Sequence, residues 1–175
     1  MEFSELIKER RSIRCFSGAP DHETLAAVLK EAQQAPSWKN MQTSRCYVAE
    51  SPEVLEALHE KGLPPFNNKS SANAALIVTA FVPDEVGFSD GSPVNEMGNH
   101  WGAYDLGLHD AYLVLAAKNA GLDTLIMGIR NADGIREVLN IPENEQIGAV
   151  IAIGYRNQEP ADRPRKPLDE VVKFF

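Results

Sequence analysis

The chain has 175 residues, of which 43% are hydrophobic and 24% charged, and this composition is typical of a single globular domain over residues 1–175. The net charge of -8 disfavours a nucleic-acid surface, and no apolar run approaches the roughly 20 residues of a membrane span. Two cysteines and a polar, acidic start predict a cytoplasmic protein without a disulfide framework or metal cluster.

Hydrophobic periodicity and turn residues predict alternating helices and strands. In chain order, we expect a helix over 3–11, a helix from 21 that ends before Pro36, a strand over 44–50, a helix over 52–62, a strand over 74–82, a long loop over 83–100, a helix over 101–120, a strand over 123–127, a helix over 133–140, a strand over 147–154, and an irregular tail from 158. The apolar run 74–82 lacks alternation, which indicates a strand buried on both faces. The order predicts one sheet between helices.

The stretch ERRSIRCF, residues 9–16, concentrates positive charge in an acidic chain. Three arginines and a serine fall within five positions: Arg10, Arg11, Ser12 and Arg14. The planar guanidinium group matches phosphate oxygens, and a serine hydroxyl adds a donor. A second basic group in the tail, which comprises Arg163, Arg165 and Lys166, could converge on the same anion. The alternative is a solvated helix end whose cations complement the helix dipole.

Two further stretches carry polar or flexible residues at places where a ligand could bind. APSWKNMQ, residues 35–42, offers hydrogen-bonding side chains and a flat indole that suit a polar-edged ring, although taken alone the stretch is better explained as an ordinary loop with a core tryptophan. The strand over 123–127 ends at Met127-Gly128, where glycine lets the backbone approach a ligand closely.

Several familiar catalytic patterns are missing from the sequence. It has no Walker or Gly-x-Gly-x-x-Gly motif, no Gly-x-Ser-x-Gly elbow, and no metal spacing among its four histidines. Asp105 and Asp110 on the long predicted helix are interpreted as capping or surface residues rather than catalytic acids. Without a nucleophile and base pair, the chemistry of an enzyme would fall to a cofactor.

These motifs, in this order, resemble the FMN-dependent nitroreductase family. The matching stretches are Arg10 to Phe16, Ala35 to Gln42, Leu115 to Leu122, Leu125 to Gly128, and Arg163 to Arg165. The resemblance implies an α+β sandwich with a mixed sheet flanked by helices. It also implies an intertwined homodimer with FMN at the interface, onto whose partner subunit the tail from about residue 156 extends.

The resemblance also implies residue roles. Arg10, Arg163 and Arg165 would hold the FMN phosphate, with Arg11 close by; Ser12 would bond the ribityl chain or ring edge; and Arg14 would lie near the pyrimidine edge. Loop residues would reach the flavin from the partner subunit: Pro36, Ser37, Trp38, Asn40 and Gln42. Asn67 would contact the ring, and the backbone around Ile126, Met127 and Gly128 would cover one face. His100, Trp101 and Tyr104 would shape the substrate opening.

The implied activity is NAD(P)H-driven, two-electron reduction of nitroaromatics or quinones in two alternating half-reactions. Three alternatives stay open: an enzyme of the same fold acting in reductive dehalogenation or flavin breakdown, a non-catalytic flavin-binding protein, or solvated arginines that bind no cofactor. After Gln42, where many family members continue Pro-Trp, this chain has Thr43-Ser44, and it is short for the family. Because a short chain implies a trimmed substrate-covering segment, we expect a more open pocket and broad acceptor tolerance.

Overall fold

The structure, a computed structural model, describes residues 2–175. The α-helices in this range are α1 (Phe3–Glu9), α2 (His22–Ala32), α3 (Pro52–Gly62), α4 (Pro65–Ser71), α5 (His100–Asn119), α6 (Ala132–Leu139) and α7 (Leu168–Val171), and single 3₁₀ turns span Trp38–Asn40 and Pro83–Val86. The strands are β1 (Phe16–Gly18), β2 (Ser44–Ala49), β3 (Ala75–Phe81), β4 (Asp123–Met127) and β5 (Gln146–Arg156). Each predicted helix and strand is present within a few residues of its expected bounds. The short elements β1, α4 and α7 were not predicted.

Side-chain caps explain where two of the helices begin. The Asp21 carboxylate accepts a hydrogen bond from the Thr24 backbone N–H at 2.7 Å and starts α2. The Ser51 hydroxyl accepts one from the Val54 N–H at 3.4 Å, and Pro52 occupies the first turn of α3. Both caps satisfy donors that a helix N-terminus otherwise leaves free.

The long strand β5 organises the sheet. It pairs with β3 along one edge and with β4 along the other, β2 lies outside β3, and β1 pairs with the end of β5. All of these pairs are antiparallel, and the one parallel pairing within residues 2–175 is the isolated bridge between Ser12 and Thr124. The expected mixed sheet is therefore wrong: the five named strands pair antiparallel, and the parallel bridge joins Thr124 of β4 to Ser12, which lies outside them.

Alternate residues of the central strands bury into two separate cores. Leu76 and Val78 of β3 face a core that includes Leu58 of α3 and Ile135 of α6. Ile77 faces the opposite core, with residues of α2 and α5. Every residue of β3 is buried, which confirms the predicted strand with two buried faces. The sheet thus forms the middle of three layers. Among residues 2–175, no helix is both long and apolar enough to cross a membrane.

Helix α6 packs closely against the end of α3 because Gly134 has no side chain. The Asn131 backbone N–H donates to the Gly62 carbonyl at 2.8 Å, and the Asn131 side chain donates to the Lys61 carbonyl at 3.0 Å. A Cβ atom on Gly134 would collide with that Lys61 carbonyl, which is backbone and has little freedom to move.

We therefore expect Gly134→Ala to lower the free energy of unfolding by about 1–3 kcal/mol through overpacking, although alanine favours a helix. The measurement is urea denaturation. Gly18→Ala is the matched control, since a Cβ there meets nothing within 4 Å. A Gly134→Ala protein as stable as the parent would contradict the described packing of α6 on α3.

Candidate anion-binding site and the 36–42 loop

The two ends of the chain come together beside β4. After α1 the backbone runs along β4, where the Ile13 N–H donates to the Thr124 carbonyl at 3.0 Å and the Ile13 side chain is fully buried. At the other end, the Asn157 N–H donates to the Cys15 carbonyl at 2.9 Å as the chain leaves β5. The tail therefore returns across the N-terminal segment.

A cavity of about 390 Å³ lies between these two segments. Its lining consists of Arg10, Arg11, Ser12, Arg14, Gln158, Pro160, Ala161, Arg163 and Arg165. None of the described residues in this lining is acidic, so five arginines face one another without a carboxylate among them. Burial lowers the pKa of Arg10, and the charges of Arg11 and Arg165 lower it further. We call this site the arginine cavity; its charge favours an anion.

The arginines of the cavity differ in how many of their guanidinium N–H groups already bond to other residues of the chain. Arg11 donates to the Lys8 and Arg10 carbonyls and lies 3.5 Å from the Asp162 carboxylate. Arg165 makes one bond of 3.3 Å to the Arg163 carbonyl. The Arg11 guanidinium is thus engaged by contacts within the chain, whereas Arg165 makes a single such bond.

The loop after β4 is held by Asn67. Met127 is 3% exposed, with its side chain in the core, whereas Ile126 is half-exposed and Gly128 exposed. The buried Asn67 side chain donates to the Ile129 carbonyl at 2.8 Å. Asn67 therefore fixes the backbone next to Gly128. A direct contact between Asn67 and a ring stays a prediction.

A second cavity, of about 420 Å³, is lined by part of the 36–42 loop. Pro36, Ser37 and Gln42 face it together with Asp105 and His109 of α5. Asp105 accepts a hydrogen bond from the Trp38 backbone N–H at 2.8 Å, and burial raises the pKa of this carboxyl group. The interpretation of Asp105 as a capping or surface residue is wrong, because its side chain is buried and anchors the loop.

Asp110 was also interpreted as a capping or surface residue, and this too is wrong. It is 8% exposed and accepts a hydrogen bond from the Thr79 hydroxyl at 3.1 Å. The partner is on β3, so Asp110 joins the long helix to the sheet.

The 36–42 loop has an unusual backbone. Lys39, Asn40 and Gln42 all have positive φ, at 47°, 56° and 52°, in the left-handed region that side chains other than glycine rarely adopt. The Ser37 hydroxyl accepts a bond from the Gln42 N–H at 3.0 Å and closes the loop on itself. Backbone strain concentrated in one loop is a common property of binding sites. One of the strained residues, Asn40, has an exposed side chain that is available to a ligand.

Aromatic rings join this loop to the start of α5. Trp101 stacks on Tyr104 at 4.8 Å between ring centroids, and Trp38 meets Trp101 edge-on at 6.3 Å. Phe88, from the long loop before α5, contacts Trp38 edge-on at 6.0 Å. His100 is exposed and lies at the first position of α5. The cluster forms an apolar surface on which the stacked rings of Trp101 and Tyr104, the latter half-exposed, could border a planar substrate.

The second cavity also contains a cysteine near a histidine. The Cys46 sulfur lies 3.9 Å from the His109 Nε2 atom, and the other ring nitrogen lies 3.3 Å from Asp110. Burial, together with the negative charge of Asp110, raises the pKa of the Cys46 thiol to about 12. The thiol therefore stays protonated at neutral pH, which argues against a cysteine nucleophile.

The predicted residues thus divide into two groups within one chain. The N-terminal and tail arginines share the arginine cavity, as the sequence predicted, whereas Pro36, Ser37 and Gln42 line the second cavity. Among the described residues, none lines both cavities. Gln158 and Asp105 were not predicted as site residues. Gln158 has no distinguishing pattern around it, and the role of Asp105 depends on a partner 67 positions away.

Comparison with known proteins places these features in a family. The sequence model of the nitroreductase family matches residues 7–155. An NADH dehydrogenase of Thermus thermophilus is 26% identical, with 94% of this chain and 91% of that protein aligned. An iodotyrosine dehalogenase 1 homolog of Caenorhabditis elegans is also 26% identical, over 99% of this chain and 61% of that protein.

A solved structure also shares the fold. An Exiguobacterium sibiricum protein in complex with FMN superimposes with a TM-score of 0.88 at 23% identity, covering 100% of this chain and 98% of that one. Together with the family match over most of the chain, the α+β fold confirms the resemblance seen in the motifs. The chain belongs to the nitroreductase family.

Proposed function

We propose that this protein is an FMN-dependent oxidoreductase that uses NAD(P)H to reduce nitroaromatics or quinones. The observation that carries the proposal is the convergence of Arg10, Arg163 and Arg165 on one cavity that lacks acidic lining among the described residues. The donor set suits a phosphate monoester, because guanidinium groups pair with its oxygens in a bidentate manner. Bound FMN would supply two-electron hydride transfer between NAD(P)H and the acceptor.

The residues of the chain would bind and tune the cofactor. Ser12 lies beside Arg10 in the same cavity and would donate to the ribityl chain or ring edge. Arg14 would stabilise negative charge on the reduced ring, and the backbone around Ile126, Met127 and Gly128 would cover one ring face. The aromatic surface of Trp38, Trp101 and Tyr104 supports a planar acceptor. No protein side chain is required as a general acid.

The oxidoreductase proposal predicts a yellow protein whose flavin absorbance bleaches when NADH or NADPH is added without oxygen. The measurement is an anaerobic absorbance titration, followed by oxidation with a quinone. If neither NADH nor NADPH bleaches the bound flavin, the protein binds flavin but lacks the proposed oxidoreductase activity. A colourless preparation after incubation with FMN would contradict the flavin proposal itself.

The arginine cavity predicts that Arg10→Ala weakens FMN binding by about 10- to 150-fold, because a charge-assisted hydrogen bond to phosphate is lost. Fluorescence titration of the apoprotein measures the dissociation constant. Lys8→Ala is the matched control: it removes a nearby positive charge outside the lining of the arginine cavity. Equal FMN affinities for Arg10→Ala and the parent would mean that the phosphate binds elsewhere.

We further propose a homodimer in which the 36–42 loop reaches the flavin of the partner subunit. The supporting observation is an exposed stripe of small and aromatic residues along α5, comprising Ala103, Tyr104, Gly107, Ala111 and Tyr112. The tail adds exposed apolar side chains at Leu168, Val171, Phe174 and Phe175, which suit an arm that packs on another subunit.

If α5 forms the dimer interface, Ala111→Glu places a charge in it and should yield a monomer with weakened FMN binding. Light scattering coupled to gel filtration gives the mass, which we expect to be that of two chains for the parent. Ala26→Glu on the exposed face of α2 is the control and should stay dimeric. A dimeric Ala111→Glu protein would exclude this face as the interface.

Reductive dehalogenation is the second candidate function, supported by the likeness to the Caenorhabditis elegans protein. Iodide release from iodotyrosine during turnover with NADPH would distinguish it, since quinone reduction releases no halide. A cytoplasmic location stays a prediction.

A further inference from the structure

The two walls of the arginine cavity are attached to consecutive residues of β4. The Thr124 carbonyl accepts the Ile13 N–H, which fixes the N-terminal wall. The Asp123 carboxylate lies 3.1 Å from the Nε atom of Arg156, the last residue of β5, from which the tail departs. Each wall is thus attached to the start of β4, in addition to the backbone bond between Asn157 and Cys15 that joins the two segments directly.

Asp123 also forms a second ion pair. Its other carboxylate oxygen lies 3.3 Å from the Lys118 ammonium group near the end of α5. The Asp123 side chain is 2% exposed and the Lys118 side chain 6%, whereas that of Arg156 is 29%. A charge this deeply buried is costly unless it is paired, so the three groups hold a fixed arrangement.

This arrangement opposes a repulsion that the cavity itself creates. Five like charges line the arginine cavity, so in the absence of an anion the tail arginines are pushed away from Arg10. The ion pair that joins the two walls directly, Arg11 with Asp162, involves a carboxylate that is 89% exposed, where such pairs contribute little. The buried contact between Asp123 and Arg156 is the stronger of the two.

We propose that Asp123, acting through Arg156, is a positioning residue that holds the tail against the N-terminal segment, so that Arg163 and Arg165 face Arg10 before the anion binds. The inference rests on the proposed function only in naming FMN as that anion. If the inference is correct, loss of the contact between Asp123 and Arg156 weakens binding of the phosphate group and leaves binding of the rest of the ligand unchanged.

The test replaces Arg156 rather than Asp123, because Arg156→Met leaves the buried pair of Lys118 and Asp123 intact. Dissociation constants for FMN and for riboflavin, which lacks the phosphate, are measured on the full chain. We expect Arg156→Met to weaken FMN binding about ten-fold or more, with riboflavin binding unchanged. Arg156→Lys, which retains a cation for Asp123, should restore part of the FMN affinity.

Two further variants separate positioning from general stability. Glu159→Gln removes the exposed partner that lies 3.6 Å from Arg156 and should bind FMN like the parent. The double variant Lys118→Met with Asp123→Asn neutralises the buried pair, leaves Arg156 without its carboxylate, and should lose the preference for FMN over riboflavin. Equal weakening of both ligands in Arg156→Met, or no weakening of either, would overturn the inference.

Inorganic phosphate tests the contact without any flavin. It should raise the midpoint temperature of unfolding of the parent, and less so that of Arg156→Met. If the parent binds phosphate in this way but not FMN, the proposed function fails while the positioning role of Asp123 stands. If the parent responds to neither phosphate nor FMN, there is no anion site to position, and the inference is wrong.

Discussion

Electrostatic repulsion among the arginines at the two ends of the chain is the constraint on which the proposed site depends. Arg10, Arg163 and Arg165 would not face one another in an acidic protein unless the fold held them there, and contacts with β4 do so. The lowered pKa of Arg10 reflects both its burial and the neighbouring charges. A bound phosphate would relieve this repulsion, so the same arrangement that is unfavourable in the empty protein favours ligand binding.

Much of the fold could be predicted from the sequence because its signals are local. The caps at Asp21 and Ser51, the unbroken apolar run of β3 and the glycine after α5 each follow from neighbouring residues. The short elements β1 and α4 were missed for another reason: β1 has three residues, and α4, although it starts with proline as α3 does, has seven residues and little apolar periodicity. The relative direction of the strands was not predicted: a mixed sheet was expected, and the strands pair antiparallel. Strand direction depends on how segments far apart in the chain come together, which local patterns do not show.

The convergence of the two arginine groups could be predicted from the sequence, but the buried contacts that hold the site could not. Arg10 and Arg165 are recognisable from charge in an acidic chain, yet nothing in the sequence shows that Asp105 anchors the Trp38 backbone or that Asp123 joins α5 to the tail. Such buried polar contacts link residues far apart in sequence and leave no periodic trace. A buried polar group that loses its partner is costly, so these contacts stay formed. They thereby position the 36–42 loop and the arginines of the cavity.

The central claim is that the N-terminal segment and the tail together bind the phosphate of a flavin. A crystal structure of the protein with FMN tests it most directly. The account predicts phosphate oxygens at about 2.7–2.9 Å from guanidinium nitrogens of Arg10, Arg163 and Arg165. A phosphate bound away from these residues, or a tail that no longer lies against the N-terminal segment, would contradict it.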